Sequence, residues 1–228
     1  MIKKANEAYN KQDFTTALEL YTKLAEDTNA DAMTSLGFMY QNGQGCEKNE
    51  DKAFECYTKA AELKQPYALF NLAIIYMNGL GDVVTDQFKA HDLHMQAAER
   101  EVPPAMYEVA LMLERGLGCL QNYSEAAFWY EEGAKRGHIE SFNNLGVLYK
   151  DGHGVEQDRD RCFLCFSRAA DGNLAEGLYN LGQLYDQGYG CEQDHDKALD
   201  LCRKAAYKGH AKAKEIIKTM QEDGQIVF

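Results

Sequence analysis

The sequence predicts an all-α protein, an α-solenoid of stacked helical hairpins. Pairs of glycines one residue apart recur along the chain, and the first glycines of successive pairs are separated by 36, 37, 36 and 36 residues. A period in this range is typical of repeat architectures, in which each supersecondary unit buries its apolar face against the next. Gly224 follows 36 residues after the last pair begins. The five pairs are Gly43/Gly45, Gly79/Gly81, Gly116/Gly118, Gly152/Gly154 and Gly188/Gly190.

Residues 32–61 show that one repeat consists of two helices. In the first helix, apolar and small residues at i, i+4, i+5 and i+8 share one face: Ala32, Leu36, Gly37 and Tyr40. Gly43 is placed to end this helix, because glycine accepts the left-handed backbone just past a helix end. Asn49 is a favourable N-cap for the second helix. The stripe of that second helix is Ala53, Tyr57, Ala60 and Ala61.

Equivalent positions carry equivalent residues in every repeat. The N-cap position of the second helix always holds Asn or Asp: Asn49, Asp86, Asn122, Asp158 and Asp194. Two small residues lie near the end of that helix: Ala60-Ala61, Ala97-Ala98, Gly133-Ala134, Ala169-Ala170 and Ala205-Ala206. This register predicts a single domain over residues 1–228 with repeats at 30–66, 67–103, 104–138, 139–173 and 174–210.

The two ends of the chain depart from the repeat. Residues 1–28 are predicted to form an opening hairpin, in which Asp13, Ala17 and Tyr21 match the second helix of a repeat. Residues 211–228 are predicted to form a capping helix, because Ala213, Ile217 and Gly224 match a first helix with no second helix after it. A terminal helix of this kind covers the open apolar face of the last repeat.

The pattern resembles the Sel-1-like repeat family, a variant of the tetratricopeptide repeat with a longer loop inside each hairpin. The residues that carry the resemblance in one repeat are Ala32, Leu36-Gly37, Tyr40, Gly43/Gly45, Asn49, Lys52-Ala53, Tyr57 and Ala60-Ala61. The resemblance implies a right-handed solenoid that acts as a scaffold between proteins. Residues 1–28 are more similar to an ordinary tetratricopeptide hairpin. Leu113 departs from the pattern at the tyrosine position, and Ala73 and Ala110 depart from it at the glycine position.

Composition and charge narrow the classes of partner. The chain is 45% hydrophobic and 26% charged, as in soluble globular proteins, and its formal net charge is −12. This charge disfavours nucleic acid and anionic membranes as partners. It either keeps the surface soluble or complements a basic partner. No uncharged apolar run is long enough for a membrane span, and the residues after Met1 supply no apolar core of a signal peptide. We therefore expect a cytoplasmic protein, although a chain whose signal had been removed would look the same.

No set of residues suggests catalysis, a cofactor or a metal site. Each Gly-x-Gly pair follows a predicted helix, whereas a dinucleotide site requires a preceding strand. No serine is followed by lysine three residues later, as a serine acyl-enzyme of the β-lactam-binding type would require. The seven cysteines are an odd number without one pair per repeat, which indicates reduced thiols rather than the disulfides of secreted family members. His91 and His94, at i and i+3, could share a metal, but we expect them to face solvent.

The first helices also present a second face, which we predict to be a peptide-binding groove. The predicted groove residues are Phe70, Asn71, Tyr107, Asn143, Asn144, Tyr179 and Asn180. Asparagine amides both donate and accept hydrogen bonds, so a row of them can hold an extended peptide backbone. Tyrosines supply apolar contact area. Tyr107 and Tyr179 are expected to touch few other residues of the solenoid. A neighbouring column, Phe38, Ile74, Leu111 and Val147, is interpreted as core between first helices.

The sequence therefore predicts a non-enzymatic scaffold or adaptor with a protein partner, either a basic or extended peptide segment or a helix. No specific small-molecule ligand is predicted. Two alternatives remain at this stage. One is a regulator or enzyme of peptidoglycan or β-lactam chemistry, as linked to cysteine-rich relatives, and the other is a structural subunit of a larger assembly.

Overall fold

A computed structural model of the protein describes residues 1–223 and confirms the predicted all-α fold of stacked hairpins. These residues form thirteen helices and no strand. The helices are α1 (Ile2–Asn10), α2 (Phe14–Glu26), α3 (Ala30–Asn42), α4 (Glu50–Glu62), α5 (Pro66–Asn78), α6 (Gln87–Ala98), α7 (Pro103–Arg115), α8 (Tyr123–Lys135), α9 (Ile139–Asp151), α10 (Arg159–Asp171), α11 (Ala175–Gln187), α12 (His195–Tyr207) and α13 (Ala211–Glu222).

The helices fall into two compact units. Met1–Gln121 contains α1 to α7, and Asn122–Phe228 contains α8 to α13. Within each unit the helices that pack most closely are consecutive in the sequence. Each helix is therefore covered mainly by its neighbours along the chain, as in repeat proteins that grow by stacking one hairpin on the next.

The predicted N-caps are confirmed. Each cap side chain accepts a hydrogen bond from the backbone N–H three residues further on, at 2.9–3.2 Å. These bonds satisfy N–H groups that have no partner inside the helix, so they define where the second helix of each hairpin begins. The five capping residues are Asn49, Asp86, Asn122, Asp158 and Asp194.

The two glycines of a pair have different structural roles. The first ends the first helix, as Gly188 does with the left-handed backbone angles φ 65 and ψ 36. The second, such as Gly190, has φ +71, and a Cβ atom there would lie 2.5 Å from the carbonyl oxygen of Arg159. Arg159 begins α10, the second helix of the preceding hairpin. The second glycine therefore lets the loop of one repeat sit directly on the preceding repeat.

A glycine inside the hairpin makes room for a buried aromatic ring. A Cβ atom on Gly37 would lie 2.7 Å from the ring of Tyr57, and one on Gly146 would lie 2.8 Å from the ring of Phe166. Both rings are almost completely buried. The Leu-Gly part of the repeat pattern thus reflects close packing between the two helices of a hairpin.

His94 occupies the position in its repeat that Tyr57 occupies in the one before. It is 1% exposed, and its ring centroid lies 5.4 Å from that of Phe70. The expectation that His94 faces solvent is therefore wrong. The reason is that residue 94 stands at the buried position of the second helix, which Tyr57 and Tyr130 fill in neighbouring repeats.

Both end elements follow the predicted helices as far as the structure describes them. Asp13 caps α2 through a hydrogen bond from the backbone N–H of Thr16. At the other end, Ala213 and Ile217 of α13 are buried, and α13 packs against α12. Gly224 and the rest of residues 224–228 lie outside the described residues.

Candidate functional site

The predicted groove residues lie on first helices in both units. Phe70 and Asn71 are on α5 and Tyr107 is on α7, all in the unit formed by residues 1–121. In the other unit, Asn143 and Asn144 are on α9, and Tyr179 and Asn180 are on α11. Asn143 is buried and the others are half-buried. The predicted groove residues are therefore divided between the two units.

In the second unit, a cavity of about 900 Å³ brings together Asn143, Tyr179 and Asn180. We call this cavity the carboxy-terminal recess. It is bounded by α9, by the start of α11 and by the turn that leads into α13. Its lining residues are Asn143, Asn173, Leu174, Ala175, Glu176, Tyr179, Asn180, Lys208, Gly209, His210, Ala211 and Lys212.

A chain of hydrogen bonds fixes the asparagine side chains beside this recess. Nδ2 of Asn180 donates to Oδ1 of Asn143 at 2.8 Å, which links α11 to α9. Nδ2 of Asn143 donates to Oδ1 of Asn144 at 3.3 Å, and Nδ2 of Asn144 donates to the Tyr130 hydroxyl at 3.0 Å. Asn144 thus bonds toward α8 rather than lining the recess. Asn143 and Asn180 are the amides that the recess presents in a fixed orientation.

Tyr179 is part of the packing as well as of the recess. Its ring stacks on that of His210, with centroids 4.2 Å apart and planes 22° apart. It also packs against the buried cluster formed by Leu178, Ala205 and Ala213. The expectation that this ring touches few other residues is therefore wrong. The register placed Tyr179 on the correct helix face but did not show that the turn before α13 brings His210 onto the ring.

The charges around the carboxy-terminal recess do not complement a basic peptide. Lys208 and Lys212 line it, together with a single carboxylate, Glu176. Nδ1 of His210 accepts a hydrogen bond from the backbone N–H of Ala213 at 3.2 Å. The recess therefore combines aligned amides and aromatic surface with a small excess of positive charge.

The first unit has a second cavity, of about 360 Å³, which we call the amino-terminal recess. Asn71 is the predicted groove residue that lines it. Tyr9 and Tyr21 were missed as site residues because they lie on α1 and α2, before the first glycine repeat. Tyr67 was not predicted and Phe38 was interpreted as core, but they are 53% and 44% exposed. The lining residues are Tyr9, Tyr21, Asp31, Thr34, Ser35, Phe38, Gln65, Tyr67 and Asn71.

Phe70 and Tyr107 do not line either recess, and the Phe70 ring packs on His94. The neighbouring column was interpreted as core, which is wrong for Phe38. The other three members of that column, Ile74, Leu111 and Val147, are half-buried. The exposed edge of this column thus contributes to the amino-terminal recess.

Cys162 and Cys165 are poorly suited to nucleophilic or redox chemistry. All seven are free thiols in the structure, and Cys162 and Cys165 are buried. Burial raises the pKa of the Cys162 thiol to about 11, and the pKa of the Cys165 thiol to about 12. Since the thiolate is the reactive form, these two side chains behave as small apolar groups.

Metal-binding clusters and membrane-spanning helices are both absent from residues 1–223. No group of three or more His, Cys, Asp or Glu side chains is arranged to hold a metal ion. No described helix combines the length and apolar character needed to cross a bilayer.

Comparison with proteins of known structure identifies close relatives of the fold. A Sel1 repeat protein from Oxalobacter formigenes superposes with a TM-score of 0.91 at 27% identity, over 97% of this chain and 88% of that chain. The protective antigen c5321 of uropathogenic Escherichia coli, which displays the same repeat fold, gives 0.84 at 28% identity, over 93% of this chain and 45% of that chain. The immunity protein Pa5087 of Pseudomonas aeruginosa gives 0.52 at 25% identity, over 81% and 67% of the two chains.

The family model of the Sel1 repeat matches most of the chain, whereas no curated protein matches it. The match extends into the opening hairpin that resembled an ordinary tetratricopeptide repeat. The matched residues are 11–29, 30–64, 66–101, 103–138, 141–174 and 175–210. Together with the caps, glycine loops and stacked hairpins, this match shows that the chain belongs to the Sel1 repeat family.

Proposed function

We propose that this protein is a non-enzymatic scaffold that binds an extended peptide segment of a partner protein in the carboxy-terminal recess. Sel1 repeat proteins generally mediate interactions between proteins. The observation that carries the proposal is the pair of bonded amides, Asn143 and Asn180, beside a cavity of about 900 Å³. The raised pKa values of the buried thiols support a non-enzymatic role.

The amide of Asn180 retains hydrogen-bonding capacity after it bonds Asn143. One of its N–H groups is donated to Asn143, and the other N–H and the side-chain oxygen have no partner within residues 1–223. An amide offers two donors and an acceptor with two lone pairs. The remaining groups match the alternating N–H and C=O groups of an extended peptide. Since the Asn143 bond already restricts the rotamer, little further side-chain entropy is lost on binding.

The aromatic side of the recess would provide the apolar contact area. The Tyr179 ring is held in place by its stacking on His210, and the Tyr179 hydroxyl accepts a hydrogen bond from Nε2 of Gln183 at 3.0 Å. A rigid aromatic side chain beside fixed polar groups is typical of binding hot spots. The volume of the recess lies within the range of about 300–1,000 Å³ that is usual for ligand sites.

The test is selection of random peptides against the purified protein, followed by affinity measurement on two variants. Asn180→Ala should weaken binding of the selected peptides about 3–10-fold, because it removes hydrogen bonds worth about 0.5–1.5 kcal/mol. Arg168→Ala, at an exposed position on α10, is the matched control and should leave affinity unchanged. Both variants should melt within a few degrees of the wild type.

Selected peptides whose affinity is the same for the wild type and Asn180→Ala would contradict the proposal. A library that yields no binder would contradict it as well. If a bound peptide cross-linked only to the even-numbered helices, which are the second helices of the hairpins, the binding surface would lie outside the recess.

A further inference from the structure

The amino-terminal recess has an aromatic wall built from four different helices. Tyr9 lies on α1, Tyr21 on α2, Phe38 on α3 and Tyr67 on α5. Phe38 and Tyr67 are about half exposed, whereas Tyr21 is buried in the core cluster of the first three helices. The faces of aromatic rings carry negative electrostatic potential and attract cations.

One charged side chain lines this recess, the carboxylate of Asp31. Oδ1 of Asp31 accepts a hydrogen bond from Nε2 of Gln65 at 3.3 Å, which holds the carboxylate at the edge of the recess. Gln65 is fixed in turn as the N-cap of α5, through a bond of 2.6 Å from the backbone N–H of Ala68. The unit as a whole is acidic, with 18 Asp and Glu against 11 Lys and Arg in residues 1–121. The negative charge of Asp31 is opposite in sign to the net positive charge of the residues that line the carboxy-terminal recess.

Four of the five hydroxyl groups that line the recess donate their hydrogens elsewhere, and the fifth, on Tyr67, keeps its hydrogen available. Tyr9 donates to Oε1 of Gln44 at 2.9 Å, and Tyr21 donates to Oδ1 of Asn6 at 2.8 Å. The other two hydroxyls donate to backbone carbonyls of α3. Thr34 bonds Ala30 at 2.8 Å, and Ser35 bonds Asp31 at 3.0 Å.

Toward a ligand these four hydroxyls can therefore only accept hydrogen bonds, as can the Asp31 carboxylate. Tyr67 and Asn71 also bring donors to the recess, but the one charged side chain that lines it is an acceptor, so the site favours a cationic ligand rich in N–H donors. An arginine guanidinium carries five N–H donors and no acceptor, and its planar surface stacks on aromatic rings. A lysine ammonium is also a donor, but it is more strongly hydrated and lacks the planar face.

From this combination we propose that the amino-terminal recess binds the side chain of an arginine residue in the partner protein. The guanidinium pairs with Asp31 and stacks against Phe38 and Tyr67. The inference rests on the proposed function in that the ligand is a side chain of a bound peptide. It adds the chemistry of the partner, which must present an arginine to this unit.

The experiment titrates the full protein with N-acetyl-arginine amide and follows backbone amide shifts by NMR. Saturable shifts should appear at residues 31–38 and 65–71. The lysine and citrulline analogues are the matched probes, since citrulline keeps the shape of arginine without its charge. Both should bind at least about fivefold more weakly than arginine, given the usual strength of cation–π and charge-assisted contacts.

Variants distinguish a specific arginine site from general electrostatic attraction of arginine to an acidic surface. Asp31→Asn and Tyr67→Ala should each weaken arginine binding at least about fivefold. Asp82→Asn and Phe88→Ala, at exposed positions in the same unit, should have no effect. Equal affinity for arginine and citrulline, or shifts unaffected by Asp31→Asn, would overturn the proposal.

Failure of this inference can be distinguished from failure of the proposed function. Peptides that lose affinity with Asn180→Ala but contain no arginine would support the carboxy-terminal recess and contradict an arginine site. Arginine-containing peptides that depend on Asp31 and not on Asn180 would support the inference and contradict the proposed function.

Discussion

His94 is a titratable side chain at a position that the repeat pattern buries. It occupies a position filled by Tyr57, Tyr130, Phe166 and Cys202 in the other repeats, and it is 1% exposed. Its Nδ1 is buried with no hydrogen-bond partner among the described residues. Burial, with a smaller contribution from His91, lowers the pKa of His94 to about 4 from its ordinary 6.5. The folded protein therefore holds this imidazole neutral at pH 7.

This burial predicts a pH-dependent loss of stability. The folded-state pKa is below the unfolded value, so the stability is fully present above pH 6.5 and is lost as the pH falls toward 4. Between pH 7 and pH 4.5 the wild type should lose on the order of 2–3 kcal/mol more than His94→Leu. Urea denaturation at the two pH values measures this difference.

The exposed histidine His195 provides the control for that experiment. His195→Gln should keep the pH dependence of the wild type between pH 4.5 and 7, because the His195 side chain is 69% exposed. An identical loss of stability in the wild type and His94→Leu would show that His94 does not titrate in the buried form.

At the scale of elements, the glycine loop joins one hairpin to the one before it. Gly190 and Gly137 both have positive φ, +71 and +86, so alanine is strained at either position. They differ in their surroundings. A Cβ atom on Gly190 would collide with the backbone of Arg159, whereas no atom lies within 4 Å of the Cβ position on Gly137.

Gly190→Ala should therefore be clearly more destabilising than Gly137→Ala. Gly137→Ala carries only the conformational cost of about 1 kcal/mol. Gly190→Ala adds about 1–3 kcal/mol of overpacking, because backbone atoms must move to admit the methyl group. Thermal melts followed by circular dichroism compare the two variants directly. Equal melting temperatures would mean that the second glycine is required for its φ alone.

At the scale of the whole molecule, the packing of consecutive helices predicts that a destabilising substitution affects mainly the neighbouring helices. Leu145 on α9 is 4% exposed, and Leu145→Ala should cost about 2–5 kcal/mol through lost burial and a cavity. Since stability in stacked repeats is transmitted between neighbours, amide hydrogen exchange should accelerate most in α8 to α11. Exchange in α1 to α3 should change far less.

The exposed position Leu164 on α10 offers a control of the same residue type. Leu164 is 54% exposed, so Leu164→Ala should leave exchange close to that of the wild type. If Leu145→Ala accelerates exchange equally in every helix, the chain unfolds as one cooperative block, and the assumption of nearest-neighbour coupling is wrong.

The sequence by itself determined the helices, their caps and the stacking of one repeat on the next. These features depend on local chemistry: Asp194 caps α12 because its carboxylate reaches an N–H three residues away, and Gly188 ends α11 because it accepts a left-handed backbone. The sequence also placed Asn143, Tyr179 and Asn180 on one surface, since the repeat fixes which face a helix position occupies.

Only the tertiary structure decided what those surfaces can hold. The bond between Asn180 and Asn143 and the stacking of Tyr179 on His210 depend on rotamers and on contacts between residues more than thirty positions apart. The amino-terminal recess depends on the same kind of contact, because Tyr9 and Tyr67 come from different hairpins. A repeat pattern specifies which residues share a helix face. Which of them meet across helices, and which hydrogens they have left to donate, is settled by packing.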